Sequence, residues 1–65
     1  PPDWACECLG VEPDAPRKGV KTAYQNLVKQ YHPDKVAGMG VELRELAEKR
    51  TKEINQAYVE FKQRW

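Results

Sequence analysis

No apolar run in the 65 residues approaches the roughly 20 that a membrane-spanning helix needs, and no basic head precedes an apolar core as in a secretory leader. Both absences exclude such segments within the chain. Cysteine is nearly absent: Cys6 and Cys8 stand two positions apart, where helical side chains diverge, so they do not bridge to each other. A disulfide scaffold is excluded, and a reduced, intracellular setting is expected. His32 is the only histidine; without C-x-x-C spacing the three residues make a poor zinc site, so no metal or cofactor is expected. An excess of one charge is also lacking, since 11 basic and 10 acidic residues leave +1. That balance points to neither nucleic acid nor an anionic membrane as partner. Finally, the length leaves no room for a cleft between lobes, so the chain is expected to be a binding module or a short functional loop on a small scaffold, and not an enzyme. Its start at Pro1-Pro2 and its end on Trp65 are those expected of one domain, 1–65, excised from a longer protein.

What is present is helical. Hydrophobic residues at 40% and charged residues at 32% describe an ordinary soluble domain. Asp3 opens and Gly10 closes a short helix I, predicted over 3–9. Pro13 and Pro16 then break the chain, and helix II begins near Pro16 with proline in its first turn. Val20, Ala23, Tyr24, Leu27 and Tyr31 fall within an arc of about 100° on this helix, and Lys18, Lys21, Gln25 and Lys29 project on the opposite side. Its start is poorly made: Arg17 and Lys18 put positive charge at the positive end of the dipole, and Gly19 costs about 1 kcal/mol relative to alanine.

Pro33 ends helix II, and the glycines of Val36-Ala-Gly-Met-Gly40 make 32–40 a connecting loop. Helix III starts near Val41, and Leu43, Leu46, Ala47, Ile54, Ala57, Tyr58, Phe61 and Trp65 share an arc of about 120° that persists to Trp65. Glu45 with Lys49, Glu48 with Lys52 and Glu60 with Arg64 form i,i+4 pairs worth tenths of a kcal/mol each on the solvated face. The predicted fold is all-α: an antiparallel hairpin of helices II and III with helix I laid across it. Val20, Ala23, Tyr24, Leu27, Tyr31, Leu46, Ile54, Ala57, Tyr58 and Phe61 are the expected core. Arg50, inside the apolar arc, is expected to lay its stem over that core. Residues 1–16 hold four acids and no base, whereas 17–35 hold five bases and one acid, Asp34. A nearly neutral chain therefore presents one basic face.

That face runs out at Tyr31-His32-Pro33-Asp34-Lys35. In an isolated turn these residues need mean nothing more than chain reversal, with Asp34 closing an Asx turn. Their context carries more. The run Val20-Lys-Thr-Ala-Tyr-Gln-Asn-Leu-Val-Lys-Gln-Tyr-His-Pro-Asp-Lys35, with Leu9-Gly10-Val11 before it and Lys52-Glu-Ile-Asn-Gln-Ala-Tyr58 after it, resembles the J domain of DnaJ-type co-chaperones. The Ala-Cys-x-x-Leu-Gly pattern and the longer stretch Lys35 to Val41 are similar to the C-terminal J domain of membrane-anchored, DjlA-like members. Ala5, Cys6 and Thr51 stand where many J domains have aromatic residues.

The resemblance implies a non-catalytic activator that docks on a DnaK-type chaperone ATPase and promotes its ATP hydrolysis. His32, Pro33 and Asp34 would be the signalling tripeptide, and Lys18, Lys21, Lys29 and Lys35 the basic docking face. Proline fixes φ and holds the turn, an ionised aspartate accepts a bidentate bond from an arginine, the compact polar ring of His32 orients the loop, and the charged face speeds encounter. Gln25 and Asn26 replace residues often basic in the family, so weaker docking is expected. No direct membrane contact is expected from this segment, and a cytoplasmic location is, with an anchored parent facing the cytosol. Two other readings stand beside it: a small helical nucleic-acid-binding module using helix II, and an inert J-like tethering domain. The former lacks interleaved aromatics and base-reading arginines, and its loop is too long for a helix-turn-helix.

Overall fold

The computed structural model describes residues 1–65. Four helices follow one another, α1 (Asp3–Leu9), α2 (Arg17–Gln30), α3 (Pro33–Val36) and α4 (Val41–Lys62). The all-α architecture expected from the sequence is therefore present. Contacts along the chain fix the hairpin as antiparallel: Arg17 lies over the Trp65 ring, Tyr24 stacks on Tyr58, and Tyr31 shares a groove with Ala47 and Thr51. Helix α1 packs chiefly on α4. No helix is long and apolar enough to cross a membrane.

Local chemistry explains the boundaries of α1. Gly10 takes φ 68°, a left-handed conformation that glycine adopts without a Cβ penalty. Its N–H and that of Val11 then bond the Glu7 and Cys6 carbonyls at the helix end. The start of α2 has no side-chain cap, as its sequence foretells, but Arg17 stacks at 4.9 Å on the Trp65 ring. That contact offsets part of the unfavourable dipole.

The core is a contiguous cluster of Ala5, Cys6 and Leu9 from α1, Val20 from α2, and Ile54, Ala57 and Phe61 from α4. Phe61, Ile54 and Val20 are its largest enclosed side chains. Tyr24, Leu27, Tyr31 and Tyr58, expected inside, are half-buried against this cluster, and Ala23 is half-buried too. Leu46 overturns its expectation outright: it is 52% exposed, and Leu43 on the same flank is 54% exposed. The reason is length. Helix α1 spans about 10 Å against about 33 Å for α4, and it meets α4 around Arg50, Glu53 and Gln56, so the first turns of α4 project past it.

Other details differ from the sequence reading. The expected loop 32–40 contains the one-turn helix α3. Pro33 begins a helix here while also ending one, because at a first helical position it has no N–H to lose. Helix α4 stops at Lys62 rather than at Trp65, and residues 63–65 continue as a turn bonded to Val59, Phe61 and Lys62. None of the three expected i,i+4 pairs closes. The helix-face ion pair that forms is Arg50 with Glu53 at 3.5 Å, with the Arg50 side chain 54% exposed rather than laid on the core. Arg64 turns from Glu60 to donate to the carbonyls of Pro13 and Ala15.

Candidate functional site

Helix α2 delivers the site. Its apolar stripe fixes which side faces α4, and this leaves Lys18, Lys21, Gln25, Asn26 and Lys29 exposed on the other side. None of these lysines is engaged in an ion pair. Lys29 lies in the last turn of α2, next to the tripeptide. Lys18 lies about 16 Å further back along the axis, so the expected basic residues form a strip rather than a cluster.

Beyond Tyr31 the chain turns through His32, whose φ −59° and ψ 142° take it out of the helix. Pro33, Asp34 and Lys35 then wind the single turn of α3, closed by the Lys35 N–H donating to the His32 carbonyl at 2.8 Å. Within it the Asp34 N–H donates to Nδ1 of His32 at 3.2 Å. Histidine is thus the N-cap of α3, satisfying one of the amides that a helix start leaves without a partner. The carboxylate of Asp34 accepts no hydrogen bond within the chain; its Oδ2 lies 3.7 Å from His32 Nδ1, and its side chain is 94% exposed. An anion presented on a short turn and left without a hydrogen-bond donor is a ready acceptor for a cation from outside.

Beside this turn runs an open groove of about 800 Å³, with Pro33, Asp34 and Val36 on one wall and Ala47 and Thr51 on the other. Thr51 donates its hydroxyl to the Ala47 carbonyl at 2.9 Å, which satisfies the polar group but fills little space. Sequence reasoning missed the groove, and it read His32 as orienting the loop without recognising the cap. The cap had a signal, since a polar residue followed by proline and aspartate is a helix start.

The cysteines lie elsewhere. Cys6 is buried in the core, and Cys8 borders a shallow hollow with Trp4, Glu7, Arg50 and Glu53. Burial pushes the Cys8 thiol above its ordinary value, the Glu53 carboxylate adds to the rise, and Arg50 works against it. It is a protonated, poorly nucleophilic thiol. No three His, Cys, Asp or Glu side chains come together as a metal site.

Against known proteins, the family model described as the DnaJ domain matches residues 6–63. A co-chaperone protein DjlA of Escherichia coli is 41% identical over 61 residues, covering 91% of this chain and 22% of the relative. A chaperone protein DnaJ of Mesomycoplasma hyopneumoniae is 48% identical over 50 residues, covering 77% of this chain and 14% of the relative. A tetratricopeptide repeat and J domain-containing co-chaperone of Fusarium oxysporum is likewise 48% identical over 50 residues, 77% of this chain and 9% of the relative. The chain thus spans about a fifth or less of the length of these relatives. No solved structure matches it.

Proposed function

The chain belongs to the DnaJ domain family, and from that premise we propose that it is a co-chaperone module that docks on a DnaK-type chaperone ATPase and stimulates its ATP hydrolysis. It acts as a regulator, without chemistry of its own. The observation that carries this reading is the Asp34 carboxylate, 94% exposed and unpartnered at the end of a basic helix face. Asp34 accepts a bond from a cation of the partner, and Pro33 and His32 hold the turn that presents it. Lys18, Lys21, Lys29 and Lys35 raise the encounter rate through long-range attraction. Gln25 and Asn26 contact the partner without charge, which lowers affinity relative to a more basic face.

In this reading residues 1–65 are one J domain of a longer co-chaperone working on the cytosolic side, whose client-binding parts and any membrane anchor lie outside the segment. Its partner is the ATPase and not nucleic acid.

Single-turnover ATP hydrolysis by a purified DnaK-type chaperone tests the proposal, with the domain titrated in. Stimulation by the wild type and its loss in Asp34→Asn, with an unchanged helical spectrum, is expected. Absence of stimulation at saturating domain would instead favour an inert tethering role. Binding to duplex or single-stranded DNA at moderate salt would favour a nucleic-acid module.

A further inference from the structure

We infer that His32 is a positioning residue: its Nδ1 lone pair caps α3, and this cap, rather than a contact of the ring with the partner, is its contribution to docking. The inference rests on the functional reading above and deepens it for this one side chain.

Three observations on the turn carry it. The Asp34 N–H donates to Nδ1 at 3.2 Å, so Nδ1 serves as the acceptor in this turn. Helix α3 is a single turn of four residues with no fully buried side chain; it rests on α4 with Val36 half-buried, and at its start the cap and the Lys35–His32 backbone bond are what hold it. Asp34 is also the residue whose own amide is captured. A bond to the backbone N–H of Asp34 fixes where its Cα–Cβ bond points, and so where the unpartnered carboxylate stands. Pro33 restricts φ between the two partners of that bond. The tripeptide therefore works as acceptor, clamp and presented anion in sequence order.

The geometry makes a specific demand on substitution. Asparagine carries Oδ1 on Cγ, as histidine carries Nδ1, and it is among the strongest N-cap residues. Glutamine sets its oxygen one bond further out, and alanine has no acceptor. A ring needed for contact with the partner would be replaced by none of the three.

Wild type, His32→Asn, His32→Gln and His32→Ala are compared in single-turnover ATP hydrolysis by a DnaK-type chaperone, and hydrogen exchange of the Asp34 amide is measured in each domain alone. His32→Asn is expected to keep most of the wild-type stimulation and a protected Asp34 amide, while the Gln and Ala variants lose roughly fivefold or more in both, the typical effect of losing a cap. Stimulation by the wild type with His32→Asn as inactive as His32→Ala, its Asp34 amide still protected, would overturn the inference and assign the ring to the partner interface. If the wild type itself fails to stimulate, the functional reading falls. The exchange data then decide the cap alone, since equal Asp34 exchange in wild type and His32→Ala would overturn it.

Discussion

The two ends of the hairpin are built on different terms. At the end near Trp65, all three longer helices converge: Phe61 and Ile54 meet Leu9, Ala5 and Val20 in one enclosed cluster. Tyr58 stacks on Tyr24 at 4.1 Å and takes the edge of Trp65 at 5.8 Å, and Tyr24 donates its hydroxyl to Asn55 at 2.6 Å. Arg64 ties the α1–α2 connection to this end through the Pro13 and Ala15 carbonyls. At the opposite end α3 has no fully buried side chain, Val41, Leu43 and Leu46 are each more than half exposed, and the buried side chain is the small Ala47. The contrast teaches that the burial that holds the fold and the most exposed turn are spatially divided. The clasped end holds the fold, so the open end can leave the His-Pro-Asp turn facing outward.

The sharpest way to break this comparison is to truncate one apolar side chain at each end. Phe61→Ala empties an enclosed site and is expected to cost about 3–5 kcal/mol, enough to unfold much of a domain this small. Leu46→Ala, at an exposed site on the same helix, is expected to stay within about 0.5 kcal/mol. Urea unfolding followed by helical circular dichroism reads both. Comparable losses would mean that the open end carries as much of the fold as the clasped one.

The clasp itself is tested by Trp65→Ala. This change removes the edge contact with Tyr58 and the surface on which Arg17 stacks, for an expected loss of about 1–3 kcal/mol. On the proposed function, ATPase stimulation by the folded fraction should be unaltered, because the His-Pro-Asp turn lies at the other end. An opposite sign is expected one turn into α2. A Cβ at Gly19 would meet only Pro16, at 3.6 Å, an ordinary contact. Gly19→Ala is therefore expected to stabilise by roughly 0.5–1 kcal/mol through helix propensity. A lower melting temperature would show that the start of α2 needs the glycine for a reason other than space.

These effects also mark how far the sequence could be read. The end of helix α1 was legible because Gly10 closes it, while its start is capped by no side chain and Asp3 only places an acid in the first turn; the α2 stripe was legible because five apolar positions repeat through it. The break after α2 was legible from Pro33. Helix α3 shows no period in four residues, so its only signal was the His-Pro-Asp start. Leu46 was misread because periodicity gives the direction of a face and not how far the neighbouring helix extends along it. Ala5, Cys6 and Leu9 were passed over as core for a related reason: seven residues give a weak stripe, and their burial is decided by α4. The hold of Arg64 on Pro13 and Ala15 joins residues about fifty positions apart, and nothing local announces it.

The smallest expected effect concerns the seam between α1 and α4, where Cys8 sits beside Glu53 and Arg50. Its thiol value is raised in the folded chain, first by burial and then by the Glu53 carboxylate. The folded state therefore holds that proton more tightly than the unfolded state does. The associated stability is fully present below the ordinary thiol value and is lost as pH rises through the raised one. Melting temperatures of wild type and Cys8→Ser are thus expected to differ by a constant near neutral pH. Toward about pH 10, where an unperturbed thiol is largely ionised, the wild type should fall further than the variant. A gap that stays constant across this range would mean that Cys8 is as solvated folded as unfolded, and that α1 is seated on α4 by Ala5, Cys6 and Leu9 alone.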